Sequence, residues 1–140
     1  MSPLPRHQPK QLSLGSLEAE IIQILWRATA ATAQEIHQQI LSDPERELAY
    51  SSVMTVLHRL EKKGWLSCDR SERAYVWTPL VSQHEVQVLK THKYLQKFLA
   101  SGNPDIVAAF ADSLDSTSIE KLEAMAQRLK AAKEQGDSCM

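Results

Sequence analysis

The run SSVMTVLHRLEKKGWLSCDRSERAYVWTP, from Ser51 to Pro79, decides the fold. In its first half Val53, Val56, Leu57 and Leu60 recur at helical spacing, which predicts a helix from about Ser51 to Gly64 with one apolar side. Lys62 and Lys63 stand in the last turn, where the helix dipole favours cations, and Gly64 follows as a residue free to adopt the left-handed conformation that ends helices. The second half changes period. Trp65 to Cys68 alternates, Asp69 to Glu72 is a polar turn, and Arg73 to Thr78 alternates again before Pro79, so a two-stranded hairpin is predicted. Two short strands are not stable alone, so this hairpin must lean on helices.

Those helices lie upstream. Ser16 is a fitting N-cap for a helix from about Leu17 to Ala28, with Glu18 and Glu20 in the first turn and Leu17, Ile21, Ile24, Leu25 and Ala28 along one face. Thr32 and Glu35 form a T-x-x-E capping box opening a second helix, which should stop near Leu41 before the turn Ser42-Asp43-Pro44. Three helices followed by a hairpin is the order of a winged helix-turn-helix. The fold class is therefore mainly α (α+β).

The outer side of the third helix is unusual for a solvated helix. It carries Ser51, Ser52, Met54, Thr55, His58, Arg59 and Lys62, with Lys63 at its end. Short hydrogen-bonding side chains on a helix suit the major groove, where each base pair shows a distinct donor and acceptor pattern. Double-stranded DNA is the partner this implies. Arg70 and Arg73 in the hairpin are placed for phosphates or the minor groove, while Tyr75 and Trp77 are expected to pin the hairpin to the helices. The same topology also serves as a protein-interaction adaptor, which stays open as an alternative. Between Tyr50 and Leu80 five basic residues face three acidic ones, a mild excess in a chain whose net charge is −1.

Beyond Val81 the pattern is helical. Ser82 and Glu85 form a second capping box, Gly102 breaks that helix, and Asn103-Pro104-Asp105 opens a short one carrying Ile106, Val107 and Phe110. A last helix, after Asp115 to Thr117, carries Ile119, Leu122, Met125, Ala126 and Leu129. A stripe this apolar calls for a twin, so a homodimer is expected through Phe110 and these five residues. The organisation expected is a flexible tail (1–12), a winged helix-turn-helix domain (13–81), a helical dimerisation domain (82–134) and a frayed tail (135–140).

Composition narrows the classes further. At 140 residues and 43% apolar content the chain can fold as one domain with an appendage. No apolar run approaches the roughly 20 residues that span a bilayer, and the proline-bearing first residues do not form a secretory signal, so no membrane association and a cytoplasmic location are expected. Cys68 and Cys139 lack metal-ligand spacing and are expected to be reduced thiols, with no metal and no cofactor. The five histidines are scattered, and there is no glycine-rich phosphate loop or nucleophile–base constellation, so an enzyme is not expected.

The runs SLEAEIIQILW (16–26), TAQEIHQQI (32–40), SSVMTVLHRLEKKGWL (51–66) and RAYVWTPLV (73–81) resemble the penicillinase-repressor (BlaI/MecI/CopY) family. R-L-x-K-K-G at Arg59 to Gly64 and the aromatic wing strand at Arg73 to Pro79 carry the resemblance, with Trp77 where the family has a second Tyr. The resemblance implies a homodimeric repressor on a palindromic operator, with Ser51, Ser52, Met54, Thr55 and His58 on the base-facing side and Arg59, Lys62 and Lys63 at the basic end. It also implies two modes of release. Antibiotic-responsive members are cut by a regulatory protease at an Asn-Phe bond in the dimerisation arm; the matching position is Ala109-Phe110, where the Asn is replaced. Copper-responsive members carry four clustered cysteines, of which this chain has Cys139 alone, leaving a metal- or redox-sensing role for Cys139 as a second alternative.

Overall fold

The computed structural model describes residues 4–138. They divide into two units, Leu4–His92 and the residues from Lys93 onward. The first unit holds α1 (Ser16–Ala28), β1 (Ala31–Thr32), α2 (Ala33–Leu41), α3 (Tyr50–Lys63), β2 (Leu66–Asp69), β3 (Val76–Pro79) and the start of α4 (Gln83–Ser101). The second holds the rest of α4, then α5 (Pro104–Ser113) and α6 (Ser116–Ser138).

Each helix start follows from local chemistry. At α1 the cap is Gly15 rather than Ser16, because the Glu18 carboxylate reaches back and accepts the Gly15 N–H at 3.0 Å. At α2 the expected box forms: Thr32 Oγ1 accepts from Glu35 N at 3.2 Å and Glu35 Oε1 accepts from Thr32 N at 3.0 Å. Ser82 and Glu85 repeat it before α4, and Asn103 caps α5 with Pro104 in its first turn. Gly64 ends α3 at φ 88°, a conformation costly to any residue with a Cβ.

The core of the first unit is built from Ile21, Ile22, Leu25, Ile36, Ile40, Val53, Val56, Leu57, Leu60, Trp65, Leu66, Trp77, Val81 and Val86. Helix α1 packs against α2, α3 and β3 together, so its apolar arc is wider than a single stripe. Ile22 is therefore buried, Ile24 only half-buried, and Ala28 exposed, which corrects the face read from periodicity.

The wing is a three-stranded antiparallel sheet in the order β1-β3-β2. Strand β3 is central: Trp77 stands opposite Ala31 on one side and Cys68 on the other. Two details differ from the sequence reading. The hairpin's second strand begins at Val76, so Arg73, Ala74 and Tyr75 belong to an exposed loop, and Pro79 lies inside the strand opposite Leu66. The other is β1, two residues long, whose Thr32 also caps α2; it is too short to leave any alternation in sequence.

The amino-terminal stretch expected to be a flexible tail is instead docked from His7 onward. Pro9 is buried, Lys10 N donates to Lys63 O at 2.8 Å, and the Trp65 indole N–H donates to Gln11 O at 2.7 Å. His7 Nε2 lies 2.6 Å from Gly64 O. The last carbonyls of a helix have no partner within it: at the end of α3, Leu60 O and Glu61 O accept from Trp65 N and Gly64 N, and the strap serves Lys63 O and the capping Gly64 O.

The boundary with the second unit falls after His92, not after Val81, because Val86 and Leu89 on the first turns of α4 are buried. Helix α6 continues to Ser138, past the point where fraying was expected.

Candidate nucleic-acid interface

Helix α3 buries Val53, Val56, Leu57 and Leu60 and therefore must expose the opposite face. Ser51, Thr55, His58 and Lys62 line that face at successive turns, with Ser52 and Arg59 flanking it. The start of the helix is fixed by the preceding loop. His37 Nε2 lies 2.7 Å from Leu48 O, and Arg46 makes a two-pronged ion pair with Glu20 at 2.8 and 3.1 Å.

The ten predicted contact residues do not stand alike. Ser51, Thr55, His58, Arg59 and Lys62 are exposed along α3, and Arg70 and Arg73 are exposed in the wing loop. Met54 is half-buried against the core, which leaves it a smaller part in any contact. The Thr55 hydroxyl donates to Ser51 O at 2.9 Å. Its hydrogen is thus occupied, and toward a base it presents lone pairs and a methyl group, suited to an amino group or a thymine methyl.

Lys63 departs most from its expected role. Its ammonium donates to Glu18 Oε1 at 2.9 Å, lies 2.8 Å from Oε2, and reaches Ser13 O at 3.3 Å. The contact with Oε2 is ionic, without hydrogen-bond geometry. Glu18 is 9% exposed. Burial pushes its carboxyl up, but the hydrogen bonds from Lys63 and Gly15 N–H, with the charges of Lys63 and Arg59, outweigh it and hold the group below its ordinary range. Lys63 is a latch between α3 and the start of α1 rather than a free cation. The folded carboxyl holds its proton less tightly than the unfolded one, so this stabilisation is present at neutral pH and fades as pH falls through the carboxylate range.

The wing is tied to α3 through Glu61. Its carboxylate accepts both guanidinium prongs of Arg70, at 2.9 and 3.2 Å, and lies 3.9 Å from His58 Nδ1. Arg70 also sits over the Tyr75 ring, 5.6 Å from its centroid, and His58 packs edge-on against Trp77 at 5.3 Å. Trp77 thus pins the wing as expected, while Tyr75 serves the loop. Neither Glu61 nor the strap residues Lys10 and Gln11 were among the predicted contacts. The strap has no periodicity, and Glu61 in sequence is one more surface carboxylate.

In the second unit, taken by itself, Phe110, Ile119, Leu122, Met125, Ala126 and Leu129 are all exposed, and α5 buries no residue. Leu122, Met125 and Leu129 keep 55 to 59% of their surface open to solvent. Phe98 and Phe110 meet edge to face at 6.0 Å. Ala109 and Phe110 lie within α5, in helical conformation.

Cys68 is half-buried in β2, and burial raises its thiol above the ordinary range, which favours an unreactive thiol. Cys139 lies outside the described residues. No helix among the described residues is long and apolar enough to cross a membrane.

The penicillinase repressor family matches residues 14–129, spanning both units. The chain belongs to that family. Within this family it is 36% identical over 78 residues to the transcriptional regulator BlaI of Mycobacterium tuberculosis, a match covering 55% of each protein. The chain thus spans about half the length of that curated relative. It is 23% identical over 120 residues to the penicillinase repressor of Bacillus licheniformis, covering 86% of this chain and 91% of that protein. Among solved structures, the DNA-binding domain of the repressor BlaI overlaps 61% of this chain and 93% of its own, at 21% identity and a TM-score of 0.45. The first of these relatives is named a transcriptional regulator and the second a penicillinase repressor; neither is named as an enzyme.

Proposed function

We propose that the chain is a homodimeric transcriptional repressor that lays α3 in the major groove of a palindromic operator and sets the wing loop against the adjacent backbone. The observation that carries this reading is the outer face of α3. Hydroxyls, an imidazole and two cations stand there at one-turn intervals, on a helix whose inner face and both ends are anchored. Membership of a repressor family supports it. Ser51, Ser52, Thr55 and His58 read bases; Arg59, Lys62, Arg70 and Arg73 meet phosphates.

Arg70 reaches DNA only by leaving Glu61 or by sharing its guanidinium, so part of its contact energy goes into breaking an existing pair. Arg73 has no carboxylate within ion-pair distance among the described residues and gives its charge freely.

The second unit supplies the dimer. Two copies bury the stripe of α6 against each other and place two copies of α3 about one DNA turn apart, roughly 34 Å. Release through cleavage at Ala109-Phe110 requires α5 to open locally, because proteases bind extended backbone and this bond is helical.

The reading is tested by binding mechanically sheared, double-stranded genomic DNA of the source organism to the purified protein and sequencing what is retained. The expected result is a short inverted repeat with half-sites about one turn apart. Retention without sequence preference, or loss of all binding on moderate salt, would contradict specific operator recognition.

A further inference from the structure

We infer that the docked amino-terminal strap completes a phosphate-binding notch, formed by Lys10 from the strap and Arg59 and Lys62 from α3. The notch is a concavity of about 320 Å³ lined by Lys10, Gln11, Arg59, Lys62 and Lys63.

Its charge is what calls for an anion. Two carboxylates that neighbour these residues, one paired with Lys63 and one next to Lys62 in sequence, are already engaged. Glu18 is held by Lys63, and Glu61 by Arg70. Among the described residues neither Lys10, Arg59 nor Lys62 has a carboxylate within ion-pair distance. Three cations thus share one concavity in a chain whose net charge is −1. Glu18 also feels the charge of Arg59 but is bonded to Lys63, so positive charge remains in excess here, and an anion among these cations relieves their mutual repulsion while gaining charge-assisted hydrogen bonds.

The notch is also pre-built. Lys10 is fixed by its own backbone bond to Lys63 O, and Gln11 by its carbonyl bond to the Trp65 indole. Arg59 and Lys62 lie three residues apart on α3 and so emerge side by side. Gly64 makes the approach of the strap feasible: a Cβ there would come within 3.3 Å of the Pro9 Cα. A guanidinium and two ammonium groups are donors only, and the Gln11 amide adds an NH2 beside its acceptor oxygen, a set that a phosphate group takes.

The phosphate can come from the duplex backbone or from a free phosphorylated ligand. The first source rests on the repressor reading above; the second does not. The full chain is compared with Lys10→Ala, Arg59→Ala and the charge-keeping Lys10→Arg. Lys10 is exposed and its strap bonds are made by backbone, so Lys10→Ala keeps the fold. In one arm, affinity for genomic duplex is followed against salt. If the notch holds a DNA phosphate, Lys10→Ala flattens the plot of log affinity against log salt by about one unit per subunit, and Lys10→Arg restores it. In the other arm, inorganic pyrophosphate is titrated while the Trp65 indole N–H and Lys10 amide are followed by NMR. Saturable shifts in the native chain, absent in Lys10→Ala and Arg59→Ala, with an unchanged duplex slope, assign the notch to a free phosphorylated ligand. An unchanged salt slope together with no saturable pyrophosphate shift overturns the notch, even if the native chain binds duplex well. Pyrophosphate binding without any duplex binding overturns the repressor reading and leaves the notch standing.

Discussion

Replacing Leu122 and Leu129 together by Asp should turn the protein from a dimer into a monomer and cost two to four orders of magnitude in apparent affinity for a two-half-site operator. Both side chains are more than half exposed within the single chain, on the stripe that also carries Ile119 and Met125. Each contributes roughly 25 cal/mol per Å² of apolar area removed from water in a partner interface. A carboxylate placed there must instead be desolvated without a partner, which costs far more than the lost contact. The affinity falls because each DNA-reading unit then binds its half-site alone. A linked pair gains an effective concentration for its second contact, and that gain, about 10²- to 10⁴-fold, is lost with the linkage. Sedimentation should report a drop from twice 15.8 kDa to 15.8 kDa, with the helical content kept. A variant still sedimenting as a dimer would place the interface elsewhere.

Trp65→Ala should destabilise the first unit by about 3–5 kcal/mol, a large share of the roughly 5–15 kcal/mol that holds a domain folded. Trp65 is fully buried, meets the Trp26 ring in a tilted contact at 6.4 Å between centroids, and gives its indole N–H to Gln11 O. Truncation removes a large side chain where α3 passes into the wing and frees the strap at once. For a unit of this size the melting midpoint should fall by at least about 12 °C. Trp65→Phe shifts the balance between the two losses, because it keeps much of the ring volume, leaves a smaller cavity than Ala, and deletes the bond to Gln11. It should cost less than Trp65→Ala, about 1–3 kcal/mol, while making the amides of Lys10 and Gln11 exchange faster. Equal protection of those amides in Trp65→Phe and the native chain would show that the indole bond does not hold the strap.

Most of the fold was legible in sequence because its signals are local. The period of Val53, Val56, Leu57 and Leu60, the T-x-x-E box at Thr32 and the cation-then-glycine ending at Lys62 to Gly64 each act within a turn or two of chain. What escaped depends on distant partners. Strand β1 exists because Ala31 and Thr32 meet β3, not because two residues prefer extension. The strap reads as a tail in sequence because nothing in its own residues shows that Lys63 O, at the end of α3, will take a donor from it.

The candidate site follows the same division. The outward residues of α3 are dictated by its inward ones, so Ser51, Ser52, Thr55, His58, Arg59 and Lys62 could be named in advance. Lys63 could not be told from Lys62 by sequence. One residue's rotation turns it from the outer face toward Glu18, where the pairing makes it structural. The Arg70–Glu61 pair is likewise a tertiary fact.

The central claim is that α3 reads sequence while the wing holds the backbone. It is tested most directly by titrating the native protein, Thr55→Ala and Arg73→Ala against a selected operator fragment and a scrambled duplex at several salt concentrations. Thr55→Ala is expected to lower the preference for operator over scrambled duplex by about 1–3 kcal/mol with the salt slope unchanged. Arg73→Ala is expected to weaken both duplexes alike and flatten the salt slope by about one unit per subunit. If Thr55→Ala leaves the preference intact, or if Arg73→Ala alters preference rather than slope, α3 is not the reader and the assignment of roles is wrong.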